Sequence, residues 1–530
     1  MPRTLRGWIV LIAIVSIAMG LLAGRVVRRV APPETRARWA EQAGKHAEAE
    51  AIWWSELQRG NVTVPIVVEF LAQHRMAVAI AAVTEGMPKD HPRFKDAKIK
   101  PEKPIPEAEV EAFFARPNLP HEVTLVVRMQ RGTATDVELA ELHEAANRTP
   151  PVPWINHVLA DHAHMHGQLL DAAVYYEREA LAFGRKDDLE TSLELRMQAG
   201  DREGVIVRLA DPRIGALAPP QLQFHHAMER RDYGRALRWL LPFAFPKPRL
   251  GPLLLAVAAA IGWIAFCLRF GQVRREPRVR VPLYATAFAL GALSIAPTVF
   301  LIVWQELVLH LVQNGSVVRD AIYFVLGVGF REELSKLVLF LPLLPILLKR
   351  GQLVEVVACG ALVGLGFAAV ENLQYFSRDD LGSALGRFLT ANFLHMSMTA
   401  LTATAAYRIA KSPDGFHDFT VTFLTVVGLH GFYDFFLASP IASDMSFFAM
   451  AVFVVLARDF VLAMHDARLR AGRSKPLLPV FAIGTAVVCG ATFIYASIIV
   501  GPGTAAEMMY LGLLGVAVLT IVFVRQLRVL

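Results

Sequence analysis

The chain has a polar first half and a second half built of long apolar segments. After an apolar segment at residues 7–24, charged residues are frequent from about residue 36 to residue 249. Residues 281–305 and 476–506, in contrast, contain no Asp, Glu, Lys or Arg. Uncharged segments of this length are typical of membrane-spanning helices. The pattern therefore predicts a polytopic membrane protein that carries a separate polar domain.

Nine apolar segments follow residue 250, and each is long enough for a membrane helix. They cover residues 251–268, 281–304, 321–348, 352–374, 386–407, 417–438, 445–464, 478–500 and 507–524. Arg3 and Arg6 precede the first apolar segment of the chain, as they would in a signal anchor. The predicted fold is an all-α membrane bundle of about nine C-terminal spans (250–530) plus an N-terminal anchor (1–30).

The charges between the segments predict the topology. Every second connection is basic, as at Lys349 and Arg350, and basic connections are cytoplasmic by the positive-inside rule. This places the protein in the cell (inner) membrane with its C-terminus inside and its polar domain outside the cytoplasm. Five arginines directly after the first segment favour the opposite side for the polar domain: Arg25, Arg28, Arg29, Arg36 and Arg38. Both orientations stay open.

The polar region at residues 31–249 contains recurring helical patterns with small residues at fixed offsets. Turns are predicted at Gly44, Gly167, Gly200 and Arg231, and the last three have a spacing close to the 34 residues of a tetratricopeptide repeat. Residues 159–184 resemble that repeat most closely. We predict an inserted, α-helical, tetratricopeptide-like soluble domain, with an unrelated all-helical domain as the alternative.

Composition excludes two broad classes of protein. The hydrophobic fraction of 54% and the charged fraction of 19% argue against a wholly soluble protein. The formal net charge is +7, but Lys and Arg cluster at the ends of apolar segments and are not interleaved with aromatic residues. Membrane topology explains this basicity, so the expected partner is the lipid bilayer and no nucleic acid.

A few ionisable residues lie inside the predicted spans, where such groups are costly and are functional candidates. They are Glu332, Glu333, Lys336, Glu371, His395, His430 and Asp434. At about 1.5 Å per helical residue, Glu332 and Glu371 lie about 25 and 28 Å from the cytoplasmic ends of their helices. His395 and His430 lie about 20 Å from theirs. We expect four alternating helices to bring these groups into one zone.

The spacing within each helix has chemical meaning. Glu332 and Glu333 lie four and three residues before Lys336, so the ammonium group can neutralise a carboxylate and keep it ionised. His430 and Asp434 share one helix face, which lets the carboxylate orient the imidazole. A carboxylate base, histidines and confined water are sufficient for hydrolysis.

These residues form four motifs that resemble a known family. The motifs are Glu332-Glu333-x-x-Lys336, Phe367-x-x-x-Glu371-Asn372, His395 in the next span, and His430-x-x-x-Asp434. Over residues 281–465 they resemble the signature motifs of the PrsW family of intramembrane proteases, which is distantly similar to the type II CAAX prenyl endopeptidases. The sequence departs from the family at position 391, where Ala stands in place of the usual Phe.

The resemblance implies cleavage of a peptide bond in or beside the membrane, with Glu332 and Glu333 as the catalytic pair. It also implies single-span membrane proteins such as anti-sigma factors as substrates, in regulated proteolysis. In this hypothesis Lys336, Glu371, His395, His430 and Asp434 complete the catalytic site.

The residues do not decide whether a metal takes part. His395 and His430, together with Glu371 or Asp434, would suit Zn²⁺ in a three-ligand site with an open position. The same residues would also serve a metal-free glutamate mechanism, so zinc is a candidate cofactor and none is certain.

Two other classes of function use the same residues differently. A transporter or proton-coupled channel would employ them as a buried relay and predicts inverted repeats, which residues 251–530 do not show convincingly. A membrane-anchored scaffold would act through the polar domain alone. Arg387, near the start of its segment, is interpreted as a ligand of a lipid headgroup, with the substrate backbone as the alternative.

Overall fold

The protein is described by a computed structural model that covers residues 3–85, 103–377, 383–472 and 475–529. Within these ranges the chain is helical and contains no strand. The chain divides into two compact units. One comprises Met1–Gly24 and Leu240–Leu530, and the other comprises Arg25–Trp239.

Short helices occupy most of the chain between residues 33 and 244, after a first long helix. The helices are α1 (Arg3–Val30), α2 (Pro33–Gln42), α3 (His46–Gln58), α4 (Val64–Thr84), α5 (Glu107–Phe114), α6 (His121–Gln130), α7 (Asp136–Asn147), α8 (Ile155–Met165), α9 (Leu169–Phe183), α10 (Lys186–Gln198), α11 (Arg202–Ala210), α12 (Pro212–Leu217), α13 (Pro220–Glu229) and α14 (Tyr233–Ala244).

The turns predicted in the polar region lie between these helices. Gly44, Gly167 and Gly200 have φ angles of 65°, 75° and 78°, and Arg231 has a φ angle of 59°. Left-handed backbone of this kind ends a helix and favours glycine. The turn positions are as expected from the sequence, while the relationship to tetratricopeptide repeats stays a prediction.

Helix α4 is apolar enough to resemble a membrane span, but it contributes to the core of the shorter unit. Phe70 on α4 packs its ring 5.1 Å from that of Trp54. His74, also on α4, is buried and hydrogen-bonds Glu50 at 2.5 Å and Glu107 at 2.7 Å. Polar partners on both sides of the imidazole are typical of a folded soluble core, so we interpret α4 as a core helix.

The second half of the chain forms the membrane bundle. Its helices are α15 (Leu250–Phe270), α16 (Pro277–Leu293), α17 (Ile295–Val308), α18 (Val317–Ile322), α19 (Phe330–Phe340), α20 (Leu344–Arg350), α21 (Leu353–Ser377), α22 (Ser383–Leu389), α23 (Ala391–Lys411), α24 (Phe416–Ala438), α25 (Phe447–Ala471), α26 (Leu478–Ile499) and α27 (Pro502–Val529). A π-helical segment, Tyr323–Gly329, joins α18 to α19, and a 3₁₀ turn, Leu341–Leu343, joins α19 to α20.

Eight helical stretches in the described part of the chain, α4 among them, are long and apolar enough to cross a membrane. A bent pair within α27, Pro502–Leu514 and Leu519–Arg528, would add a ninth. The predicted all-α polytopic bundle is confirmed. The protein is thus a multi-pass membrane protein.

The segment predicted as one span at 321–348 is broken in the structure. The π-helical segment interrupts its first half, and Pro342 and Pro345 accompany the 3₁₀ turn in its second half. Proline lacks the amide donor that a continuous helix needs, which explains the second break. The π-helical segment lies against α24, where a Cβ atom at Gly431 would be 2.4 Å from the Val325 Cα atom.

The segment predicted at 386–407 is divided into α22 and α23, and the one at 281–304 into α16 and α17. Helix α23 contains many Ala, Ser and Thr residues, yet nearly every residue from Ala391 to Tyr407 is buried. It lies at the centre of the bundle, and a helix surrounded by other helices does not need an apolar surface toward lipid.

Glycines bring α21 and α23 into close contact. A Cβ atom at Gly364 would lie 2.1 Å from the His395 carbonyl oxygen, and one at Gly360 would lie 2.7 Å from the Ala403 Cβ atom. Small residues let helix backbones approach in this way in membranes. The close contact sets the distance between the polar residues that α21 and α23 carry.

We predict that Gly364→Ala destabilises the bundle by about 1–3 kcal/mol, because the added methyl group has no space against the backbone of α23. Thermal unfolding of the purified protein in detergent measures the effect. Gly428→Ala on α24 is the matched control, since a Cβ atom there meets nothing within 4 Å. Equal unfolding temperatures for the two variants would contradict this packing.

Candidate active site

Four helices carry all seven of the sequence-predicted site residues into one buried cluster. Glu332, Glu333 and Lys336 lie on α19, Glu371 on α21, His395 on α23, and His430 and Asp434 on α24. The rings of His395 and His430 lie 5.3 Å apart between centroids. Each of the seven residues contacts at least one other member of the cluster, as described below.

Lys336 lies at the centre of the cluster and is fully buried. Its Nζ atom donates to Glu333 Oε1 at 2.7 Å and to His395 Nδ1 at 2.9 Å. It is 3.5 Å from Glu332 Oε2 and 4.2 Å from the centroid of the Phe367 ring. The predicted contacts with both glutamates are present, and the contact with His395 adds a link from α19 to α23.

This arrangement defines the tautomer of His395. An ammonium group only donates, so Nδ1 of His395 accepts from Lys336 and Nε2 carries the proton. His395 Nε2 is 3.0 Å from Glu371 Oε2 and donates to it. Both ring nitrogens of His395 are therefore engaged within the cluster.

The two adjacent glutamates have different surroundings. Glu333 is buried, and its Oε1 atom interacts with both Lys336 Nζ and His430 Nδ1, the latter at 2.8 Å. Glu332 is more accessible, with 12% of its side chain exposed against 1% for Glu333. Its Oε2 atom forms no hydrogen bond with any described residue and faces His430 Nε2 at 3.6 Å.

His430 lies between carboxylates on both sides. Its Nδ1 atom contacts Glu333, while its Nε2 atom is 3.3 Å from Asp434 Oδ2 and also faces Glu332. The predicted pair of His430 and Asp434 is thus formed. Because both ring nitrogens face acceptors, both of them can carry a proton.

Glu371 connects the cluster to an arginine. Its Oε2 atom accepts from His395 Nε2 and from Arg387 Nη2, the latter at 2.8 Å. The sequence interpretation of Arg387 as a ligand of a lipid headgroup is wrong, because α22 turns this side chain toward Glu371. Sequence reasoning had one available signal, since a carboxylate within a span needs a cationic partner.

Several residues of the cluster are suited to binding a divalent metal. Oxygen and nitrogen atoms of Glu332, His395 and His430 lie within 4.8 Å of one another. The sequence singled out the same two histidines but proposed Glu371 or Asp434 in place of Glu332 as the third ligand. Glu371 is instead occupied by His395 and Arg387.

The charges of the site also suit a cation. Four carboxylates, those of Glu332, Glu333, Glu371 and Asp434, face two permanent cations within the described part of the chain, Lys336 and Arg387. With neutral histidines, the site carries an excess of two formal negative charges. A divalent ion would neutralise this excess, and so would protonation of the histidines.

Buried charges also occur outside the site, and sequence reasoning missed them. Glu355 at the start of α21 is buried and accepts from Arg280 at 2.7 Å and from Arg350 at 2.6 Å. Arg350 also donates to Glu276 at 2.6 Å. This network joins α16, α20 and α21 at the opposite end of α21 from Glu371.

A buried site of carboxylates, histidines and a lysine within a helical membrane bundle is typical of a membrane-embedded hydrolase, and comparison with known families defines it further. Residues 280–458, about a third of the chain, match the model of the PrsW family intramembrane metalloprotease. The resemblance seen in the sequence is confirmed: this segment is a PrsW-family domain, and the chain is a membrane protease. No curated protein and no solved structure matches the chain.

We predict that Glu355→Gln lowers the stability of the protein by about 3 kcal/mol, because it leaves the buried guanidinium group of Arg280 with only the more exposed and more distant Glu276, at 3.6 Å, as a counter-charge among the described residues. Thermal unfolding in detergent measures the loss. The specific activity of the folded fraction should be unchanged, since the network lies apart from the site. A folded variant that had lost its activity would contradict a purely structural role.

Proposed function

We propose that the protein hydrolyses peptide bonds of membrane-anchored protein substrates through a glutamate- and histidine-dependent mechanism. The match of residues 280–458 to the PrsW family already implies that the substrates are membrane proteins. The observation that carries the mechanism is the greater exposure of Glu332, 12% against 1% for Glu333, beside a histidine and a lysine that other carboxylates hold in place.

Glu332 acts as the general base in this mechanism. Oε2 of each glutamate forms no hydrogen bond with a described residue, but Glu333 is buried and its Oε1 is held by Lys336 and His430, whereas Glu332 is exposed enough to meet an attacking water molecule and accept its proton. The proton taken by Glu332 then passes to the leaving amine as the peptide bond breaks. Glu333 positions Lys336 and His430 and balances their charge.

His430 stabilises the oxyanion that forms on the substrate carbonyl. Its Nε2 atom faces the same space as Glu332 Oε2 and is oriented by Asp434, so a substrate carbonyl near Glu332 would lie within reach of it. Donors that are held in place before the reaction stabilise developing charge most effectively. His395 supports Lys336 and links it to Glu371.

The residues fit a zinc ion, the cofactor that the family description as a metalloprotease suggests. Glu332, His395 and His430 would hold the ion, a set of ligands common at catalytic zinc sites, and in that form of the mechanism Glu332 would be a ligand and not the general base. To take part, His395 would give up its contact with Lys336 or with Glu371. A bound zinc would polarise the carbonyl and lower the pKa of water.

The rest of the chain is proposed to govern which substrates reach the site. Residues 31–249 would recruit or exclude single-span proteins, anti-sigma factors among them, in regulated proteolysis. The alternating charges of the connections support an inner-membrane location with this domain outside the cytoplasm and the C-terminus inside.

Glu332→Gln should reduce kcat for cleavage of a single-span membrane substrate by at least a thousand-fold, because the amide cannot accept the proton of water. Glu333→Gln should also be impaired, since it removes the counter-charge of Lys336. Cleavage is measured with purified protein in detergent or in vesicles. Asp418→Asn, at the other end of α24 and 73% exposed, is the control that should retain activity. Normal cleavage by Glu332→Gln would overturn the proposed function.

Metal dependence has a separate test. If zinc is the cofactor, purified protein should contain about one zinc per chain, a chelator should abolish cleavage, and added zinc should restore it. His430→Ala should lose the bound zinc as well as activity, while Asp418→Asn should keep both. Full activity in chelator with protein free of metal would support the metal-free form of the mechanism.

A further inference from the structure

Arg387 lies outside the four motifs, yet it contacts the residues that orient the site. It is on the short helix α22, and only 17% of its side chain is exposed. Its Nη2 atom donates to Glu371 Oε2 at 2.8 Å, and its Nε atom donates to Asn372 Oδ1 at 2.5 Å. The guanidinium carbon lies 3.8 Å from the centroid of the Tyr375 ring.

The backbone beneath Arg387 is fixed by the core of the bundle. The indole of Trp263 on α15 donates to the carbonyl oxygen of Phe388 at 2.7 Å. Phe388 and Leu389 are both buried. The part of α22 that carries Arg387 is therefore held in place by the core. Three contacts fix the planar guanidinium group itself.

Two chains of contacts lead from Arg387 to α23. One passes through Glu371 Oε2 to His395 Nε2 at 3.0 Å and then from His395 Nδ1 to Lys336. The other passes through Asn372, whose amide donates to Asn392 Oδ1 at 2.6 Å. The first series of contacts ends at Lys336 beside the proposed catalytic pair, and the second links α21 to α23 through the side chains of Asn372 and Asn392.

We propose that Arg387 is a positioning residue for the protease. It holds the carboxylate of Glu371 where this group fixes the orientation and tautomer of His395, and so the position of Lys336 beside Glu332 and Glu333. The inference rests on the proposed function. Partners of this kind, which orient the groups that contact the reacting atoms, commonly change activity by 10–100-fold when they are removed.

The negative charge of Glu371 explains why a cation is needed beside it. Without Arg387, the carboxylate of Glu371, 20% exposed, would keep His395 as its one hydrogen-bond partner among the residues that the structure describes. It would then compete with Glu333 for the ammonium group of Lys336, the other cation of the site. Arg387 prevents this competition by neutralising Glu371 locally.

A double-mutant cycle tests the proposal through kcat and KM for a single-span membrane substrate. Arg387→Gln should lower kcat ten- to a hundred-fold and leave KM within about twofold, because it disturbs the orientation of catalytic groups and not substrate binding. Glu371→Gln should give a similar loss. The double variant should be no worse than either single variant, since both changes remove the same link.

Two further variants separate positioning from a general loss of structure. Arg387→Lys should recover part of the lost kcat, because it restores the charge beside Glu371 but cannot also bond Asn372. Arg408→Gln, at the exposed far end of α23, should cleave like the unmodified protein. Thermal unfolding in detergent is recorded for each variant, and if Arg387→Gln does not fold, the cycle is run with Arg387→Lys.

The outcomes distinguish this inference from the proposed function. Multiplicative losses in the double variant, a rise confined to KM, or an unchanged kcat would each overturn the positioning role. A rise confined to KM would instead indicate contact with substrate. If Glu332→Gln cleaves normally, the proposed mechanism itself fails, whatever Arg387→Gln does.

Discussion

A fully buried ammonium group is the constraint on which the rest of the site depends. Lys336 has no access to solvent, and a lone charge in that position would cost several kcal/mol. Its cost is offset by Glu333, by the imidazole of His395 and by the face of the Phe367 ring. These partners come from three helices, so the bundle must close around the lysine before its charge is stabilised.

Close helix packing provides the geometry for that closure. The glycines of α21 allow its backbone to touch α23, and Gly431 allows α24 to touch the π-helical segment. Each contact lies within about two turns of a residue of the site. The same features that hold the bundle together thus set the distances among Glu371, His395 and His430, so stability and site geometry are coupled in this protein.

The sequence predicted the membrane architecture and all seven clustered residues, because charge is rare in apolar segments and its positions stand out. Pro342 and Pro345 mark the second break in the span at 321–348, but the sequence did not predict the first, since a π-helical segment leaves no clear mark in hydropathy. The sequence interpretation also misplaced Arg387. Whether an arginine near a helix end reaches lipid or a carboxylate depends on how the chain turns, and α22 turns inward. Glu355 was overlooked because it lies near the end of its predicted span, where charged residues are common, and because one of its counter-charges, Arg280, is 75 residues away in the chain.

The π-helical segment at Tyr323–Gly329 has a further consequence for the two glutamates. A π turn contains one more residue than an α turn, so it rotates the helix that follows relative to the helix before it. Adjacent residues on a helix point about 100° apart. The phase set by this segment therefore turns Glu333 toward His430 and the interior of the bundle and leaves Glu332 the more exposed of the two. Two chemically identical neighbours acquire different environments from the winding of the backbone that precedes them.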